Sequence, residues 1–192
     1  RLVEVDRGRV FVDGLDVNDV PLSHVRGHVA YAAQDAFLFS RSLAENIAFG
    51  RPDATLGDVD RAVKDAALSI DVDAFPEGLE TMVGERGITL SGGQRQRATL
   101  ARALLTDAPV LLLDDTLSAV DTETESKILE ALRERSSGRT LVLASHRLGA
   151  AAWADRIYVL DQGRIVESGT EAELLRREGA YARLKEETPA AA

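Results

Sequence analysis

The sequence predicts an α/β fold built on a parallel sheet. Three observations carry that prediction: strand-like and helix-like segments alternate along the chain, two short strands near the middle are almost purely apolar, and one of these ends in paired aspartates. Arg9-Val-Phe-Val12 ends at Asp13-Gly14, a hairpin signal, so an antiparallel start is expected. A short strand over 29–33 stops before Gln34. Ser42-Leu-Ala-Glu45 is a capping box and opens a short helix running to Phe49. Over 56–68, the apolar residues Val59, Ala62, Val63, Ala66 and Ala67 recur at helical spacing and form one face. The stretch 76–90 is glycine-rich and reads as a loop. After Ser91-Gly-Gly93 a helix is expected over about 94–105.

Val110-Leu-Leu-Leu113, followed by two aspartates, reads as a strand buried on both faces. Thr122 with Glu125 signals the next helix by a capping box, and Ile128, Leu129 and Leu132 form its apolar stripe. Thr140-Leu-Val-Leu-Ala144 is a second buried strand ending just before His146. Segments 156–160 and 164–166 flank Asp161-Gln-Gly163 as a hairpin. Thr170 with Glu173 opens a last helix, and the tail 188–192 is expected to fray. No repeat, low-complexity tract or linker divides the chain, although 42–105 reads as a helical subdomain inserted in the sheet.

Composition narrows the function. The 192 residues are 45% hydrophobic, enough for a real core, and 29% charged without a long single-sign block. A net charge of -9 argues against binding a nucleic-acid backbone, so no nucleic-acid partner is expected. The absence of cysteine removes disulfides, thiolate zinc sites and cysteine nucleophiles. No apolar run approaches the roughly 20 residues of a membrane helix.

The sharpest chemical signal is Leu90-Ser-Gly-Gly-Gln94, followed by Arg95, Gln96, Arg97 and an alanine-rich helix. Two glycines after a serine let backbone N–H groups approach an anion closely, and the helix adds its positive N-terminus. Such a site suits a phosphate. An isolated Ser-Gly-Gly would more often be a plain turn. Here an apolar strand follows about twenty residues on and delivers Asp114 and Asp115 to its C-terminal end, where α/β sheets bind ligands. One carboxylate there can hold Mg²⁺ beside nucleotide phosphates. Arg95, Arg97 and Arg102 read as a solvated or ion-paired face of the helix.

LSGGQRQR, VLLLDD, LSAVD and LASHRL, in this order and spacing, resemble the ATP-binding cassette of ABC transporters over nearly the whole chain. The resemblance implies a P-loop NTPase-like fold with a parallel sheet core, a helical subdomain and a small antiparallel part, spanning 1–192. It implies ATP and Mg²⁺ as ligands. By it, Gln34 is the Q-loop glutamine, a catalytic and metal-side residue. Ser91, Gly92, Gly93 and Gln94 form the signature motif, Asp114 is the metal-side Walker B aspartate, Ser118 and Asp121 belong to the D-loop, and His146 is the switch histidine. Phe37-Leu-Phe39 with Glu45-Asn46-Ile47 resembles the exporter pattern. Glu85-Arg-Gly87 resembles an exporter loop that touches the membrane domains.

Two departures stand out. The family's Walker A loop, GxxxxGK[ST], has no match, since no Gly-Lys dipeptide occurs. The resemblance implies that this N-terminal portion is missing, the loop preceding Arg1 together with an adenine-stacking aromatic strand. Asp115 stands where the family has its catalytic glutamate and is one methylene shorter, which implies a slow site. The Leu-Asp-Asp-Thr-Leu-Ser-Ala-Val-Asp run resembles the degenerate half of a heterodimeric exporter.

The expected partners are therefore a second cassette, paired head to tail, and the transmembrane domains of the transporter. The expected location is the cytoplasmic face of the membrane. A soluble cassette ATPase acting on DNA or ribosomes, or a non-functional remnant, are the alternatives; the exporter-like loop and the acidic balance favour export.

Overall fold

The computed structural model describes residues 3–84 and 88–187, and the chain falls into two compact units, Arg1–Ala144 and Ser145–Ala192. The first unit opens with strands β1 (Phe11–Val12) and β2 (Leu15–Asp16), an antiparallel hairpin as expected. Its two turn residues, Asp13 and Gly14, both have positive φ, which matches the right-handed twist of the flanking strands.

Helix α1 (Leu22–His28) follows, an element without a stripe of buried residues and therefore without a periodic signal in the sequence. Strand β3 (Val29–Ala32) pairs with β4 (Val110–Asp114), which pairs with β5 (Thr140–Ala144), all parallel, in the order β3-β4-β5. Between β3 and β4 lie helices α2 (Leu43–Ala48), α3 (Leu56–Asp65), α4 (Ser69–Ala74) and α5 (Gly92–Leu105). Ser42 caps α2 with Glu45 as expected, and Thr55 caps α3 with Asp58 in the same way. Helix α3 ends earlier than the apolar spacing suggests. Ala67 takes a left-handed φ of 51°, a conformation that ends a helix, although Ala66 and Leu68 stay buried. The loop read over 76–90 contains a 3-10 turn at Gly78–Glu80 and a bridge from Met82 to Ser42.

Helices α2 and α3 pack on α5, and α5 packs on β3 and β4. Leu43, Ile47, Val59, Val63 and Leu68 are buried in this layer with Leu100, Ala101 and Leu104 of α5. Helix α6 (Thr122–Arg135) buries Ile128, Leu129 and Leu132, and Leu132 lines one small cavity with Leu104, Leu111 and Leu141. The N-cap of α6 is Asp121, one residue before the serine-like box read at Thr122.

The expectation of strands buried on both faces needs correction. Ala30, Ala32 and Leu113 are buried on one face, but Tyr31 is 54% exposed and Val142 50% exposed on the other, each opposite Leu112. Among the described residues, α5 and α6 cover one face only, so strand apolarity did not translate into two-sided burial.

The second unit begins with a 3-10 stretch at Leu148–Trp153, then β6 (Ile157–Asp161) and β7 (Arg164–Gly169), an antiparallel hairpin. Gln162 and Gly163, both at positive φ, make its tight turn. Thr170 caps α7 (Glu171–Arg176) with Glu173, but the helix expected to follow splits, because Glu178 at φ 50° breaks the chain before α8 (Ala180–Glu187). Val159, Leu174 and Tyr181 form the core of this unit, with Leu148, Ala151, Ile157 and Ala180 packed around them. Burial pushes the Tyr181 hydroxyl up to about 12, and it donates to Glu171. The tail read as fraying, 188–192, lies outside the described residues.

Candidate functional site

Two features of the first unit converge on phosphate chemistry: the N-terminus of α5 and the C-terminal ends of β3 and β4. At α5, Ser91 is the N-cap. Its Oγ accepts from the Gln94 N–H at 3.2 Å, and its own N–H donates to Gln94 Oε1 at 2.8 Å. The Gln94 amide nitrogen donates to Asp71 of α4 at 2.8 Å, and the same carboxylate pairs with Arg97 at 2.9 Å. The Gln94 side chain is thus committed within the chain. What the turn offers an anion is the first N–H groups of the helix, from Gly92 and Gly93, which have no acceptor within the helix.

Gly93 also meets a steric demand. A Cβ there would stand 2.7 Å from the Ala119 carbonyl oxygen, so this position must be glycine for the loop after β4 to approach. At Gly92 the corresponding contact is an ordinary 3.8 Å.

At the sheet end, Asp114 closes β4 opposite Ala144. One of its carboxylate oxygens accepts from the Tyr31 hydroxyl at 3.1 Å, and that hydrogen bond raises the Tyr31 pKa. Asp115 turns the chain out of the sheet at φ 46°, its N–H donating to Ala144 at 2.9 Å. Aspartate tolerates this left-handed conformation better than most residues. Gln34 is exposed, two residues past the end of β3 and therefore at the same edge as Asp114 and Asp115.

A single carboxylate at a strand end suits Mg²⁺, which takes one or two protein ligands and keeps its waters. Among the described residues, no group of three or more His, Cys, Asp or Glu side chains could form a dedicated metal cage. Asp114 and Gln34 are the residues that the sequence reading assigns to such an ion.

Ser118 lies in the turn between β4 and α6. Its Oγ donates to the Asp115 carbonyl at 2.8 Å and accepts from Gln96 of α5 at 2.9 Å. Asp121 caps α6 by accepting from the Thr124 N–H at 2.9 Å, which lowers its pKa. His146 is exposed and is the second residue of the second unit, while all the other site residues belong to the first. Glu85-Arg-Gly87 lies outside the described residues.

Of the solvated or ion-paired face expected for the three arginines, the ion-paired account fits Arg97, and all three are held by partners within the chain. Arg95 donates to the Leu90 carbonyl at 2.7 Å, and Arg97 holds Asp71. Arg102, its pKa lowered by burial, donates to the carbonyls of Asn46 and Phe37 and lies over the Phe39 and Phe49 rings. Sequence reasoning also missed Tyr31, Asp71 and Gln96. Tyr31 alone had a signal, since it alternates with Ala30 and Ala32 and so shares the face of Asp114.

The family model described as ABC transporter matches residues 1–118. A probable multidrug resistance ABC transporter ATP-binding/permease protein of Bacillus subtilis is 46% identical over 174 residues, 91% of this chain and 30% of that protein. An ATP-dependent lipid A-core flippase of Thiobacillus denitrificans is 46% identical over 185 residues, covering 96% of this chain and 32% of its own length. The flippase of the same name from Pseudomonas aeruginosa is 47% identical, with 96% and 31% covered. A solved bacterial Atm1-family ABC exporter with ATP bound superposes with a TM-score of 0.89 at 42% identity, over 94% of this chain and 32% of that one. The chain spans about a third of the length of these relatives.

Proposed function

The chain belongs to the ABC transporter family, and from that premise we propose that it is the ATP-binding and ATP-hydrolysing part of an ABC exporter. The observation that carries the reading is the joining of the Ser91-Gly92-Gly93 helix start to the loop that leaves Asp114 and Asp115, two phosphate-directed features in one compact unit. The names of the relatives, a multidrug transporter, lipid A-core flippases and an Atm1-family exporter, support membrane export over action on DNA or ribosomes. No helix among the described residues is long and apolar enough to cross a membrane, so the reading places the membrane-crossing part elsewhere in the transporter, on whose cytoplasmic face this part would work.

In this reading two cassettes pair head to tail around ATP. Mg²⁺, when bound, neutralises the phosphates and polarises the bond that breaks. Asp114, its carboxylate oriented by the Tyr31 hydroxyl, would be a residue that holds the ion. Asp115 orients the attacking water and accepts its proton, Gln34 would serve the metal, and His146 is the residue that the family resemblance assigns to a γ-phosphate. The N–H groups of Gly92 and Gly93 close on the nucleotide held by the other cassette. Asp115, shorter than glutamate, makes this chain's own site the slow one and its partner's site the competent one.

The test is steady-state Mg-ATP hydrolysis by the full-length transporter containing this chain. Gly92→Asp puts a negative charge where phosphate is bound, and it should remove about a hundredfold or more of the activity. Asp114→Asn, at the slow site, should cause the smaller loss. A larger loss from Asp114→Asn would overturn the slow-site assignment, and the absence of any Mg-dependent hydrolysis in the unmodified protein would overturn the whole reading.

A further inference from the structure

Gln96 is buried at 8% exposure on α5, three residues beyond the glycine pair, and both ends of its side-chain amide are used. Its amide nitrogen donates to Ser118 Oγ at 2.9 Å. Its carbonyl oxygen accepts from the Ala119 N–H at 2.9 Å. Ser118 Oγ in turn donates to the Asp115 carbonyl at 2.8 Å, so its proton is spent and only its lone pair faces Gln96. Alongside, the Ala119 carbonyl oxygen lies 2.7 Å from where a Cβ on Gly93 would stand. The loop after the carboxylate strand is therefore clamped to the start of α5 by one side chain and one close backbone approach.

We propose that Gln96 is a positioning residue whose amide locks the Asp115–Ala119 turn to the phosphate-facing start of α5, so that a displacement at either end moves the other. The proposal rests on the cassette reading for its consequence: the start of α5 faces the partner's nucleotide, and Asp115 serves this chain's own. Gln96 is then the link through which one chain registers both nucleotides. A glutamine is required because the turn presents one donor, the Ala119 N–H, and one acceptor, Ser118 Oγ, side by side. A carboxylate can satisfy only the first of these.

The test compares Gln96→Glu and Gln96→Met in the full-length protein containing this chain, reading Mg-ATP hydrolysis from about pH 6 to about pH 8 and deuterium exchange of the 117–121 backbone. The carboxylate of Gln96→Glu lacks the donor to Ser118, so hydrolysis relative to the unmodified protein should fall about tenfold at the high end. It should recover toward the low end, because a buried carboxyl takes up a proton readily and then donates as the amide did. Gln96→Met keeps the length of the side chain without donor or acceptor, so its loss should be the same at every pH, with faster exchange at Ala119. Should Gln96→Met fail to fold, Ser118→Ala removes the acceptor for Gln96 together with the donor to the Asp115 carbonyl, and should also speed exchange at Ala119. A flat pH ratio for Gln96→Glu, or unchanged exchange in every variant, overturns the lock. The exchange arm judges the lock even if the unmodified protein hydrolyses no ATP, an outcome that would sink the cassette reading and not the contact.

Discussion

At the scale of single residues, the least ordinary position is Asp115. It combines a short carboxylate with a left-handed backbone, φ 46°, at the end of the central strand. The two features pull in opposite directions for a replacement. Glutamate would reach about one methylene further toward a bound phosphate, and a displacement near 1 Å in a positioned base is worth about a hundredfold in rate. Glutamate also tolerates the left-handed conformation less well, at roughly 1 kcal/mol. Reach outweighs strain by this comparison. Asp115→Glu is expected to raise ATP turnover at this chain's own site by about tenfold or more, measured with the partner's catalytic carboxylate disabled. Unchanged or lower turnover would show that the reach of the base does not limit this site.

At the scale of elements, the helix starts carry a pH dependence. Asp58 accepts from the Thr55 hydroxyl and N–H, Asp121 from the Thr124 N–H, and Glu173 from the Thr170 N–H, and each carboxyl is lowered below its ordinary value of 3.8 for aspartate or 4.5 for glutamate. A carboxyl lowered by folding stabilises the fold above its unfolded value. That stabilisation is lost as pH falls through the folded value, so acid should weaken these helix starts. Asp121→Asn keeps a competent cap without a titrating charge. The variant should lose less stability between about pH 6 and about pH 3 than the unmodified protein, in urea denaturation of the full-length protein. Equal losses would mean that the Asp121 cap does not contribute to acid sensitivity. Four of the expected element starts and turns were legible because capping boxes and turn dipeptides are local: Ser42 with Glu45, Thr170 with Glu173, Asp13-Gly14 and Gln162-Gly163. Helices α1 and α4 were not, since neither buries a residue and so neither shows a periodic stripe.

At the scale of the whole molecule, the 192 residues hold a signature helix, a carboxylate strand and their connecting loop, and no Gly-Lys phosphate cradle. The chain by itself should therefore bind Mg-ATP only weakly, in calorimetric titration, and a dissociation constant of about 1 μM or tighter would contradict this. By itself the sequence determined the order of the strands and of the helices with an apolar stripe, several of the caps, and the set of phosphate-directed motifs, because these depend on neighbours a few residues apart. Tertiary structure alone decided which partners those motifs have. The commitment of Gln94 to Asp71, the Tyr31 contact with Asp114, the backbone partners of Arg102, and the approach of Ala119 to Gly93 all join residues far apart in the chain. Such pairs follow from how the sheet and α5 stack, a long-range outcome that residue spacing does not encode. The same reason explains why an apolar strand such as β4 could be read as a strand from its side chains, while the burial of each of its faces depended on what packs there.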